Sequence, residues 1–167
     1  MRSKLRNALV FAAVAAVLIG CSGKKEETTI VGADGSKTTV GKDGITYSNG
    51  DTSASIGAGA SVSEGDLHMP FYPGSTEKPD ATMKVEAATE KSYLTVRLTG
   101  DDVVKVKEFY EANVKGLKFN VFEGPDGTNA FASMKDAEGA NLAVTVSRKK
   151  GASETEISLG YGTQGKK

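Results

Sequence analysis

The sequence predicts an α+β fold: an antiparallel sheet of about six strands with one helix on a face, ordered β-β-α-β-β-β-β and preceded by a Gly/Ser/Thr-rich tether. Three observations carry this. Between residues 83 and 161 the apolar residues recur mostly at every second position, as in strands exposed on one face. One segment breaks the rhythm with a helical spacing. Between Ser22 and Asp66 there is no Phe, Leu or Met at all, so that stretch lacks the side chains to build a core of its own.

The elements follow in order. Met83, Val85 and Ala87 alternate with polar residues, as do Leu94, Val96 and Leu98, with a turn at Glu90-Lys91. Thr99-Gly100-Asp101-Asp102 reads as a helix start: Thr99 and Asp102 stand at capping-box spacing, and the acids suit the positive end of the helix dipole. Val103, Val106, Tyr110 and Val114 form an apolar stripe with Phe109 beside it, and Gly116 is a natural stop. The helix is expected over residues 101–115. Leu117, Phe119 and Val121 then alternate, Gly124-Pro125-Asp126-Gly127 turns, and residues 128–135 supply the next strand. Leu142, Val144 and Val146 form another, and Ile157, Leu159 and Tyr161 the last. The folded domain is placed at residues 67–162, with residues 163–167 as a tail.

Residues 22–66 have a looser pattern. Thr29-Ile30-Val31, Thr38-Thr39-Val40, Ile45-Thr46-Tyr47 and Ser55-Ile56-Gly57 are β-prone, and Asp34-Gly35, Asp43-Gly44 and Asn49-Gly50 separate them as turns. Short hairpins or a marginal meander fit this pattern, and so does a flexible tether; a partly ordered tether over residues 21–66 is the reading adopted.

The N-terminus carries an address. Arg2, Lys4 and Arg6 form a basic region, residues 8–19 an apolar one, and Gly20 a small residue before the only cysteine, Cys21. Such a layout is a secretory signal. Twelve apolar residues rise about 18 Å as a helix, against a hydrocarbon core of about 30 Å, so a cleaved signal over residues 1–20 fits better than a membrane span. Leu18-Ile19-Gly20-Cys21 resembles the lipobox of bacterial lipoproteins. The resemblance implies that a diacylglyceryl group is attached to the Cys21 thiol, that the chain is cut before it, and that the new amine is acylated. Stable anchoring takes more than one acyl chain, and such a cysteine supplies three. Ser22 stands where an Asp tends to retain Gram-negative lipoproteins at the inner membrane. The expected location is the cell envelope, lipid-anchored through Cys21, on the periplasmic face of the outer membrane if the cell is Gram-negative.

The signal holds three of the 21 basic residues and none of the 21 acidic ones, so the remaining 147 residues carry a net charge of −3. That balance argues against nucleic acid as a partner. With Cys21 lipidated, no thiol remains for a disulfide, a nucleophile or a zinc cluster.

Chemistry-bearing motifs are sparse. His68 is the only histidine and has no companion ligands in a zinc pattern, nor does a G-x-S-x-G elbow occur for a hydrolase. Asp34, Asp43 and Asp51 invite a calcium reading but lack alternate oxygen ligands and a bidentate Glu. Gly57-Ala58-Gly59-Ala60 does not open a helix after a strand, as a phosphate loop would. Asp101-Asp102 is explained by the helix dipole, and Arg148-Lys149-Lys150 reads as a solvated strand-end guard. No catalytic, cofactor or metal residue is assigned; the one assigned site is the lipidation of Cys21.

Met69-Pro70-Phe71-Tyr72-Pro73-Gly74-Ser75 is the densest aromatic and proline cluster, and its Phe71 and Tyr72 are expected to plug one end of the core. From Tyr72-Pro73-Gly74-Ser75, through Lys107-Glu108-Phe109-Tyr110, to Tyr161 the chain resembles a group of uncharacterised bacterial envelope lipoproteins. These share a Tyr-Pro-Gly lead-in, two strands, a Phe-Tyr helix and a β-meander. The resemblance brings no activity with it. The expected function is a non-enzymatic interaction or binding module of the envelope, with an envelope protein or ligand as partner. The alternative is an envelope enzyme or small-ligand binder using a helix–sheet cleft.

Overall fold

The computed structural model describes residues 27–78 and 80–163. The signal, Cys21 and residues 22–26 lie outside them, as do residues 164–167 of the tail. Among the described residues there are eleven strands and two short helices, which corrects the expectation of about six strands and one helix after a tether. The strands are β1 Thr28–Val31, β2 Lys37–Gly41, β3 Gly44–Ser48, β4 Thr52–Ile56, β5 Thr76–Glu77, β6 Met83–Ala87, β7 Lys91–Thr99, β8 Asn120–Gly124, β9 Gly127–Lys135, β10 Asn141–Lys149 and β11 Thr155–Gly162. The helices are α1 Glu64–Leu67 and α2 Val103–Asn113.

All strands belong to one antiparallel sheet, ordered β1-β2-β3-β4-β6-β7-β11-β10-β9-β8, with β5 beside the far end of β7. The extra strands come mainly from residues 28–56, which form a four-stranded meander that continues the sheet through β4 and β6. Counting large apolar residues misses them, because a strand added to an existing sheet edge gains its ladder of hydrogen bonds without a core of its own. Gly44 shows how tight the meander is. Its φ is +126°, and an added Cβ would lie 1.9 Å from the Ile56 carbonyl oxygen.

After β7 the chain crosses through α2 to the far edge, and β8 to β11 return as a meander to pair with β7. Helix α2 packs on β9 and β10, and α1 on β11. The expected boundaries at the helix shift inward. Asp102 is the N-cap and accepts from the Lys105 N–H at 2.9 Å, while Thr99 Oγ1 accepts only from Asp101 N–H. At the other end the cap is Val114, two residues before Gly116. Leu117 precedes β8 rather than joining it and is buried in the core.

The core lies on the helical side of the sheet. Val103, Val106, Tyr110 and Leu117 meet Ala130, Ala132, Leu142, Val144, Val146, Ile157 and Leu159, all nearly or fully buried. The two alanines on β9 leave space for the helix, and Tyr110 is completely buried. Met69 and Tyr72 belong to the same core, with Phe71 and Phe109 packed against it. Tyr72 meets Phe109 edge-on, with ring centroids 5.2 Å apart. Short α1 is fixed by a capping box, in which Ser63 and Asp66 exchange bonds between side chains and backbone.

Candidate functional site: the open face of the sheet

Strand period two puts directly paired residues on the same face, so the register defines two faces across the whole sheet. In β11, β10 and β9 the apolar residues, Phe131 and Ala143 apart, point towards the helices, while β7 divides, with Tyr93 on that side and Leu94, Val96 and Leu98 on the other. In the half from β1 to β6, the pattern is reversed. Thr29, Thr39, Thr46 and Ser55 pair in a row on the helical side and lead to Lys84. On the opposite, open side Val40, Ile45, Ile56, Met83 and Leu94 form an unbroken aliphatic row across five strands. A parallel row runs Ile30, Thr38, Tyr47, Ala54 and Val85, and Val96 and Leu98 extend the face along β7.

This row is in water. Val40, Ile45 and Ile56 are 43, 46 and 48 % exposed, and Ile30 is 54 % exposed. Seven of the ten exposed large hydrophobic side chains among the described residues lie on this one face, including Phe122 and Phe131 at its far end. From β1 to β7 no strand residue on the face is charged. The charges of those strands sit on the other side. There Lys84 contacts Asp66 at 3.3 Å and Glu86 at 3.7 Å, and the Tyr93 hydroxyl donates to Glu86 at 2.7 Å. Burial and that carboxylate hold the Tyr93 phenol well above its usual range. Contiguous exposed apolar patches on other proteins often mark interaction sites.

The residues singled out by chemistry have structural duties. His68 caps α1 in the left-handed conformation, with its ring centroid 4.6 Å from that of Tyr161 and Nδ1 3.5 Å from Asp136 Oδ2. Asp101 accepts from the Tyr72 hydroxyl at 2.8 Å and from Lys105 at 3.1 Å, which lowers its pKa. Arg148 donates to the carbonyls of Gly100, Asp101, Ala152 and Ser153, tying two loops together instead of standing free. Arg97 stacks over Phe71 with its guanidinium carbon 4.0 Å from the ring centroid, and donates to Ser75. Asp34 closes its own turn by accepting from the Ser36 hydroxyl and N–H, which lowers its pKa. Gly57 donates its N–H to Thr82 and Gly59 donates to the Asp43 carbonyl, so this glycine-rich segment locks the end of the meander.

Among the described residues no group of three or more His, Cys, Asp or Glu is placed to hold a metal ion. A hollow of about 260 Å³ at the ends of β3, β4 and β6 is lined by Ser48, Asp51, Ser53 and Glu86. The space between α2 and the sheet, where a helix–sheet cleft would lie, is filled by Val106, Tyr110 and their partners. Cys21 lies outside the described residues. The aliphatic row escaped the sequence because Val40, Ile45 and Ile56 are isolated among Thr, Ser and Gly. Only the register of the Asp-Gly and Asn-Gly turns brings them side by side. No family model matches the chain, and neither a curated protein nor a solved structure matches it.

Proposed function

We propose that this protein is a lipid-anchored envelope protein, held through Cys21, that works as a non-enzymatic interaction module through the open face of its sheet. The observation that carries the reading is the uncharged aliphatic row Val40-Ile45-Ile56-Met83-Leu94, largely open to water on a sheet whose helices both lie on the other side. Leaving apolar area in water is unfavourable by about 25 cal/mol per Å², and a partner removes that cost. The anchor supports the same reading. Cys21 and the start of β1 are seven residues apart, a reach of about 25 Å at most, so the lipid would hold the meander close to the membrane surface. If the cell is Gram-negative, that surface is the periplasmic face of the outer membrane.

The test is site-specific photocrosslinking in living cells. A photoreactive residue at position 45, on the open face, should give a discrete adduct. The same residue at position 46, on the opposite face of the same strand, should give none. Equal labelling at both positions, or none at either, would overturn the reading.

A further inference from the structure

We infer that the occupant of the open face is a second copy of this chain, packed face to face as a two-fold sandwich. The inference rests on the reading of this face as the binding site, but not on the lipid. Three features point to self-association. The first is charge. An uncharged face is matched by a surface that brings no unpaired charge into the contact, and the same face of a second copy is such a surface. From β1 to β7 the face carries no charge, while the opposite side of the same strands carries Lys37, Lys84, Glu86, Lys91 and Arg97. An anionic lipid surface would call for the reverse, with Lys and Arg among the apolar residues.

The second feature is area. Six strands spaced at about 4.8 Å, each presenting about five residues at about 3.3 Å, give roughly 480 Å² of flat surface per copy. Two copies therefore bury about 960 Å² of flat area, near the ~1,000 Å² floor for a specific interface before side-chain relief is added. The third is architecture. A sheet becomes stable when its apolar face is covered by a second layer. The meander β1–β4 has Ile30, Val40, Ile45 and Ile56 on the face away from both helices, with Val31 alone of its large aliphatic side chains on the other. A second copy supplies the missing layer with the same flat, β-branched relief, at the ~10 Å spacing of packed sheets.

The experiment is sedimentation equilibrium on residues 21–167 carrying Cys21→Ser, so that no acyl chain contributes to association. The expected result is a reversible dimer that Ile45→Asp weakens at least tenfold. Thr46→Asp, on the other face of the same strand, should leave the dimer unchanged. Circular dichroism checks that each variant remains folded. Should Ile45→Asp unfold the meander, Ile45→Thr, which keeps the β-branch and trims the apolar area, should still weaken the dimer. A monomer up to millimolar concentration, or a dimer indifferent to position 45, would overturn the proposal. So would binding of the Cys21→Ser protein to phosphatidylglycerol vesicles that Ile45→Asp abolishes, since the face would then belong to lipid. A photocrosslinked adduct at position 45 of any mass other than the dimer's would keep the binding face and remove the second copy as its occupant.

Discussion

Tyr110 offers the sharpest test of how α2 is held to the sheet. Its side chain is completely buried in the core that α2 shares with β9, whose contribution there is the small Ala130 and Ala132. Tyr110→Ala should therefore leave a cavity and cost about 3–5 kcal/mol, as aromatic truncations in cores do. That is a large share of the ~5–15 kcal/mol that holds a domain folded. The hydroxyl behaves oppositely. It is buried without a well-formed hydrogen bond, approached only by the Tyr72 backbone N–H, and burial raises its pKa well above the usual phenol value. Leaving such a group unpaired costs about 1–3 kcal/mol. Tyr110→Phe should then be neutral or stabilise the protein by up to ~1 kcal/mol. Urea melts of the three proteins decide it, provided the slopes agree. If Tyr110→Phe loses more than ~1 kcal/mol, the hydroxyl has a partner, such as a bound water. If Tyr110→Ala loses less than that, the helix does not rest on this face.

Three further predictions are independent of the helix. Cys21→Ser should abolish fatty-acid incorporation in metabolic labelling, and label persisting in that variant would refute the lipobox reading. Gly44→Ala, whose new methyl would collide with the Ile56 carbonyl, should raise amide exchange through β3 and β4 while β10 and β11 stay protected; unchanged exchange in the meander would mean the close approach is not maintained. The Asp66 carboxylate is held below its ordinary pKa of 3.8, first by the Ser63 N–H and then by the Ser63 hydroxyl and Lys84. A lowered folded pKa means stability fully present above the unfolded value and lost as pH falls through the folded one. Wild type should thus exceed Asp66→Asn in thermal stability above about pH 4, and the gap should close in more acidic buffer; a gap independent of pH would assign the effect to capping geometry alone.

The sequence was most readable where side chains carry the fold. Leu142, Val144 and Val146, and Ile157, Leu159 and Tyr161, alternate cleanly because one of their faces is the core itself. The α2 stripe of Val103, Val106 and Tyr110 is legible for the same reason. Where the backbone carries the fold, the β-prone triplets and turns of residues 28–56 were visible, but their joining the main sheet was not. Strands β1 to β4 are held by ladders to their neighbours, and a ladder leaves no mark in hydrophobic spacing. Two-residue β5 and four-residue α1 are too short for any periodicity to show. At Leu117 an alternating pattern ran past the true start of the strand, because a loop residue under the helix is also buried. The candidate site shared the meander's fate, since its residues lie apart in sequence and meet only through register.

The two halves of the sheet solve one problem in opposite ways. From β7 to β9, β-branched and small residues face the helices, and the chain supplies its own cover. From β1 to β4, threonines and serines face that side, and the large aliphatic residues other than Val31 face away. The Thr29 and Thr39 hydroxyls, 3.0 Å apart, pair with each other on the wet side. The reversal takes place between β6 and β7, where Met83 meets Leu94 on the open face while Lys84 meets Tyr93 on the other. A random polar extension would scatter its few apolar residues over both faces. Here Val40, Ile45 and Ile56 fall on one face in direct register, and Lys37, the one charged residue of β1 to β4, falls on the other. A sheet with that division leaves one side open to cover, and the proposed self-pairing would supply that cover with no residue beyond those the chain already carries.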